Sequence, residues 1–528
     1  MNRNFAITAA ILLALGAVLG GVFGRLPSRS SANSDLTTES VSKDYGEALA
    51  LIDAGYVHEI KREEILDSSV QRMLWTLDPH SSFFTRREFK KLFEEQQSQF
   101  YGIGVSILQR RDGVYVQSVI PNTPADKEGM RFGDKFLEVD GKSTEKWSSS
   151  EVSKNVRGER GKPVRIKVQR AGVEKSIELE IYRGGVPLPS IRNYFMLDNG
   201  VGYVGLSGGF QETTADELDK AIADLQKEGM TSLVLDLRGN RGGLLPQAIE
   251  VVSRFVPRGQ TVVSVKGRSK FSRPRDLRAV GGTVHEFPLV VLINGGSASA
   301  SEIVAGAVQD YGRGLVVGSE SFGKGLVQKV FPLPYGTGIT LTTARYYTPY
   351  GRSLQRDYTN GSIYEYFTSH ERADEPDRNS GSPDDSKPEG EPVKTAGGRT
   401  FYGGRGIEPD LKAPPLTFDN LRYRISESAF FFARELVAGK VRGFESYRTE
   451  KQSFVTKIAK SDAQIDDSLF EAFVAYTIGN EKNGLTRSNI DSQSGYAKSR
   501  LREQIATARY SGEAGVQVLL ESDPQVLK

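Results

Sequence analysis

The spacing of apolar residues changes period several times along this chain. Between residues 36 and 97, Leu49, Leu51, Ile52, Tyr56, Ile65, Val70, Met73, Leu74 and Leu77 recur at helical spacings, which predicts two or three amphipathic helices. The pattern breaks at Leu77-Asp78-Pro79-His80-Ser81-Ser82, where a proline and a Ser/Asp cluster interrupt it, so His80 is expected to hold a turn. From 100 to 183 the period falls to two. Strands are expected at 104–109, 114–119, 135–139, 164–169 and 174–181, with turns at Arg111-Asp112-Gly113, Asp140-Gly141 and Ala171-Gly172. After residue 202 strand-like runs (204–206, 232–237, 289–294) alternate with helix-like runs (213–228, 246–255 and one beginning near Ser301), the pattern of an α/β core with a largely parallel sheet. The run 232–237 is apolar on both parities, as in a strand buried on two faces.

Residues 357–398 shift to Ser, Asp, Glu, Pro and Gly and read as a mobile polar insertion, with 399–417 returning to the core. From 418 to the end helical spacing resumes, most clearly at 429–436 and 469–478, and this tail is expected to pack on the core or to make a subunit contact.

The length of 528 residues exceeds one hydrophobic core, and at roughly 150 residues per domain implies about three or four domains. A net charge of +3 gives no reason to expect nucleic-acid binding. The chain has no cysteine, which excludes disulfides, thiolate metal sites and a cysteine nucleophile. Its four histidines, His58, His80, His285 and His370, show no metal-ligand spacing, so neither a metal nor any other cofactor is expected. At the N-terminus an uncharged run at 5–23, flanked by Arg3, Arg25 and Arg29, reads as an export signal within residues 1–34. It is about long enough to span a bilayer, and a cleaved signal and a retained single-pass anchor both stay open.

The β-rich module begins Tyr101-Gly-Ile-Gly-Val105, where two glycines let backbone amides turn outward into a small anion nest. With the segments 121–134 and 149–157, this pattern resembles a PDZ domain. The resemblance implies that a peptide adds as an extra strand, its carboxylate seated by Gly102, Ile103, Gly104 and Val105. Its last side chain would meet Ile103, Val105, Ile107, Val152 and Val156.

The sharpest chemical signal is Val291-Leu-Ile-Asn-Gly-Gly-Ser-Ala-Ser-Ala-Ser-Glu302, in which a buried strand ends and a helix begins among small residues. A serine on such a turn presents its hydroxyl to a cleft, with the helix N-terminus facing a developing oxyanion. Ser297, Ser299 and Ser301 compete for that role, with Ser301 and Glu302 able simply to cap the helix. Downstream, Ser321-Phe-Gly-Lys-Gly-Leu-Val-Gln328 places one lysine among uncharged residues. Desolvation there would favour a neutral amine able to take a serine's proton without a histidine.

These stretches, with 77–82, 101–105, 129–141, 233–244, 294–310, 322–328 and 342–349, resemble the C-terminal processing peptidases, or tail-specific proteases, over residues 40 to 415. In that family the serine precedes the lysine by twenty-five residues and a third polar residue follows it by four, which selects Ser299, Lys324 and Gln328. The resemblance further implies an oxyanion hole of Ala300 with Gly242 or Gly243, in the loop Arg238-Gly-Asn-Arg-Gly-Gly243. Arg241 stands there where the family usually has proline. The fold class expected is multidomain α+β: an N-terminal helical segment (35–97), a PDZ domain (98–186), an α/β protease core (187–356), the insertion, and a helical C-terminal region (418–528). The expected function is that of an extracytoplasmic serine endopeptidase, periplasmic or on the cell envelope, acting on proteins with exposed C-termini. A catalytically silent PDZ scaffold is the rival reading. An adaptor or activator, a gated resting state and a homo-oligomer are compatible with both.

Overall fold

The computed structural model describes residues 37–96, 99–268, 272–359, 362–373, 390–416 and 418–528. The apolar run 5–23 lies outside them, and among the described residues no helix is long and apolar enough to cross a membrane. The chain divides into two compact units, Met1–Ser69 and Val70–Lys528. In the first, helix α1 (Thr38–Gly55) starts at Thr37, whose hydroxyl accepts the Ser40 amide at 3.2 Å, and buries none of its residues. Helix α2 (Arg62–Trp75) follows.

The second unit carries the expected layers. Strand β1 (Ser82–Phe84) precedes a sheet of β2 (Val105–Arg110), β3 (Gly113–Val119), β4 (Lys135–Val139), β5 (Pro163–Gln169) and β6 (Ile177–Tyr182), with helix α3 (Ser149–Val156) between β4 and β5 in sequence. Its core is built from Ile103, Val114, Val116, Phe136, Val152, Ile166 and Ile181. Among the described residues strand β2 is an edge, paired only to β3.

The α/β core follows as β7 (Asn193–Met196), β8 (Val201–Gly205), α4 (Thr214–Lys227), β9 (Ser232–Asp236), α5 (Leu245–Ser253), β10 (Thr261–Lys266), β11 (Leu289–Ile293), α6 (Ala300–Asp310) and β12 (Leu315–Gly318). The main sheet runs β7-β8-β9-β11-β12 and ends on a short strand, β15 (Leu411–Lys412). It is parallel from β8 onward, with β7 antiparallel at the edge. Strand β9 shows why both parities are apolar. Leu233 and Leu235 pack under α4, α5 and α6, while Val234 packs on the opposite face with Phe195, Tyr203 and Leu292. A second sheet joins β1, β10, β13 (Leu326–Pro332) and β14 (Gly338–Tyr347).

The insertion contains more structure than its polarity suggests. Helix α7 (Ile363–Ala373) opens it, because Ile363, Tyr366 and Phe367 supply an apolar stripe ahead of the polar run, and a two-stranded pair (Val393–Lys394 with Thr400–Phe401) follows. The most polar part, 374–389, lies outside the described residues.

The tail, α8 (Asn420–Val437), α9 (Asp467–Ile478), α10 (Ser494–Arg509), α11 (Gly512–Leu520) and α12 (Pro524–Leu527), packs on two partners. Phe430 and Phe431 stack edge-on against Tyr115, with centroids at 5.4 and 5.6 Å, pairs worth about 0.5–1.5 kcal/mol each beyond their buried area. At its other end, Leu520 and Val526 cover the outer face of the main sheet.

Candidate active site

Strand β11 ends at Ile293, and the turn that follows, from Asn294, is stitched to the loop after β9. The Asn294 side-chain oxygen accepts the Gly239 amide at 2.9 Å and the Gly296 amide at 3.0 Å. Two of the three competing serines are committed to this stitching. Ser297 donates to Leu237 O at 2.8 Å and Ser301 to Asn240 O at 2.9 Å, and both are fully buried. Ser299 is half-buried at the N-cap of α6 with φ +56° and ψ −111°. A non-glycine residue pays about 1–3 kcal/mol to sit there, strain of the kind stored in nucleophile turns.

Beneath this turn lies Glu302, fully buried, whose role in the sequence read only as capping. Its Oε2 accepts the backbone amides of Ser299 at 2.7 Å and Lys324 at 2.9 Å, and its Oε1 accepts Ser321 Oγ and the Gly323 amide, each at 2.6 Å. One carboxylate thus fixes the backbone of both candidate catalytic residues. Burial pushes its pKa up while the four donors oppose that shift.

Lys324 Nζ donates to Gln328 Oε1 at 3.0 Å. Burial pulls the Lys324 ammonium below its usual range, and the Glu302 and Asp78 carboxylates pull the other way. The register against β14 shifts here, with Thr343 of β14 the extra residue between Ala344, which faces Val327, and Thr342, which faces Gln328. The Gln328 side-chain amide nitrogen donates to the His80 carbonyl. The turn at 77–82 therefore belongs to the site as well as to the scaffold. Asp78 Oδ1 accepts the amides of His80 and Ser81, both at 2.8 Å, and Ser81 Oγ accepts the Thr342 amide at 3.1 Å. Burial, with the Lys324 and Arg356 charges, drives the His80 imidazole down to about 3, against the pull of Asp78, so the ring is neutral. His285 lies in a loop beside Phe255 and Phe287. Among the described residues no cluster suited to a metal is present.

The loop 238–243 wraps against the turn. At Gly242 (φ +96°) a Cβ would fall 2.8 Å from Ser299 Cβ and 2.9 Å from the Ala300 amide, so only glycine allows this approach. The Gly242 amide is itself spent on Asn240 Oδ1 at 2.8 Å. Among the described residues the amides of Gly243 and Ala300 donate to no backbone or side-chain acceptor. The two glycines thus divide the work: Gly242 gives the approach, and Gly243 carries the available N–H.

In the β-rich module, Gly104 (φ +89°) turns the chain where a Cβ would lie 2.3 Å from Thr123. Its carbonyl accepts the Ile120 amide at 2.9 Å. By antiparallel alternation the N–H of Val105 then faces outward along the open edge of β2. Val105 and Ile107 are partly exposed beside α3, and Gly102 pairs with Gly184 ahead of the turn. Ile103, Val152 and Val156 are in the module's core, at 2%, 0% and 6% exposure, so in this conformation they back the groove rather than line an open pocket.

Residues 200–362 match the model of peptidase family S41, and residues 102–181 match that of the PDZ domain. The carboxy-terminal-processing protease of Bartonella bacilliformis is 34% identical over 353 residues, covering 66% of this chain and 80% of that protein. This chain is a C-terminal processing peptidase of family S41. The peptidase is also 32% identical to the carboxy-terminal processing protease CtpB of Bacillus subtilis, over 62% of its own length and 68% of that protein. Among solved structures, the photosystem II D1 C-terminal processing protease is 27% identical, covers 72% of this chain and 94% of its own, and superposes with a TM-score of 0.36. As a member of family S41 this chain is a serine-type hydrolase, and its PDZ domain is a module that binds peptide C-termini. Ser299, Ala300, Lys324, Gln328, Gly242 and Gly243 all fall within the S41-matched span, whereas Asp78, His80 and α7 fall outside it.

Proposed function

We propose that the peptidase cleaves exported proteins near their C-termini, with Ser299 as nucleophile, Lys324 as general base and Gln328 orienting the lysine. What carries this reading is one carboxylate, Glu302, that binds the backbone of Ser299 and of a buried lysine together, while the lysine's amine is held by Gln328. The neutral amine takes the Ser299 hydroxyl proton as Oγ bonds to the scissile carbonyl carbon, and the oxyanion is received by the amides of Ala300 and Gly243. Lys324 passes that proton to the leaving amine. Water then attacks the acyl-enzyme through the same base and frees Ser299.

The open edge of β2 supports capture of the substrate's last residues as an added strand, its carboxylate on the amides of Ile103, Gly104 and Val105. The run 5–23 with its flanking arginines supports an extracytoplasmic site of action, with the N-terminal segment as signal or anchor. The test is cleavage of an unstructured protein with an apolar C-terminus by the full chain and by its Ser299→Ala and Lys324→Ala variants. Both variants should be inert yet folded, and persistent cutting by either one would move the chemistry elsewhere.

A further inference from the structure

Helix α7 lies just past the S41-matched span, and its Tyr366 is 8% exposed although the insertion as a whole is polar. The phenol oxygen meets two side chains at once, His80 Nε2 at 2.9 Å and Gln355 Nε2 at 3.1 Å. An amide nitrogen can only donate, so the phenol accepts from Gln355, and its own proton is available to His80 Nε2 in the tautomer that protonates Nδ1. That requires His80 Nε2 to be unprotonated, in agreement with its neutral ring.

Both partners lead to the lysine by separate routes. The carbonyl of His80 accepts Gln328 Nε2, and Gln328 Oε1 accepts Lys324 Nζ. Gln355 Oε1 accepts the amide of Gly325, next in the chain after Lys324, at 2.9 Å. A third connection runs through Arg356. Its guanidinium lies 4.1 Å from the ring centroids of both Tyr366 and Phe322, it donates to the Tyr366 carbonyl, and its amide donates to Gly323 O at 3.1 Å. The phenol is therefore a node between the side-chain end and the backbone end of the base.

We propose that Tyr366 is a positioning residue for the general base, its hydroxyl locking His80 and Gln355 so that Gln328 and the 323–325 backbone hold Lys324 in register. The inference rests on the assignment of Ser299 and Lys324 given above. It makes the first helix of the insertion part of the catalytic apparatus, and undocking of α7 disorganises the base without touching Ser299.

Tyr366→Phe separates the hydroxyl from the ring, keeping the stack on Arg356. In the full chain, kcat on an unstructured protein substrate should fall about tenfold or more with KM unchanged, and labelling of Ser299 by a small fluorophosphonate should slow by the same factor. The thermal transition should stay near that of the parent. Wild-type kcat in Tyr366→Phe alongside an inert Lys324→Ala would overturn the positioning role and leave the dyad standing. A loss confined to KM, or one that follows a collapse in thermal stability, would equally overturn it by making Tyr366 structural. Persistent activity in Lys324→Ala would instead sink the assignment on which the inference rests.

Discussion

Replacing Glu302 with Gln removes one charge and one acceptor from the centre of the site. The carboxylate faces three backbone amides and one hydroxyl, all donating to it. The best orientation of the new amide puts its NH2 on the side of Ser321, whose hydroxyl can turn to accept, and leaves the Gly323 amide facing another donor. One buried donor without an acceptor costs about 1–3 kcal/mol, and loss of charge assistance on the remaining bonds adds about 1 kcal/mol. The core should therefore lose about 2–4 kcal/mol, read by calorimetry of the full chain, and kcat should drop as the backbones of Ser299 and Lys324 loosen. A second readout is independent of that drop. Because the Glu302 charge raises the Lys324 pKa, its removal should move the lysine-controlled limb of the pH–kcat profile to lower pH. Unchanged stability together with an unshifted limb would refute the clamp.

Burial lowers the Lys324 pKa below its unfolded value of 10.5. Activity should therefore rise with pH through the folded pKa, and this group's contribution to stability should rise between that pKa and 10.5, where the unfolded chain alone holds the proton; Lys324→Met should abolish both slopes, as pH-dependent unfolding and kinetics would show. Gly242→Ala drives a Cβ to within 2.8 Å of Ser299 Cβ and of the Ala298 carbonyl, so the loop must retreat, and kcat should fall about a hundredfold with KM little changed. At the far end of the chain, Arg238, the first residue of that loop, donates to Asp523 at 2.8 Å and Gln525 at 2.7 Å as well as to Asp236. Asp523→Ala should cost about 1–3 kcal/mol of stability and lower kcat severalfold through the loop, with wild-type kinetics counting against that linkage.

The parts of the site that are local in sequence were readable, and those assembled across the chain were not. The strand ending at Ile293 and the helix beginning at Ala300 follow from one continuous motif, and strand β9 with its two apolar parities anticipated a sheet covered on both faces. That the second cover is the tail, through Leu520 and Val526, had no local signal. Glu302 looked like a capping partner of Ser301, but the N-cap is Ser299, and the glutamate's other partners lie about twenty residues downstream. His80 was legible as a turn residue, yet its carbonyl serves Gln328, 248 positions away. The insertion's polarity masked Tyr366, because one buried aromatic in a short amphipathic helix barely alters a composition average.

Peptide mapping of the full chain after reaction with a fluorophosphonate tests the central claim most directly. The account predicts a single adduct, on Ser299, that forms readily in the parent and is lost at neutral pH in Lys324→Ala. An adduct on another serine, or undiminished labelling of Ser299 without Lys324, would contradict it.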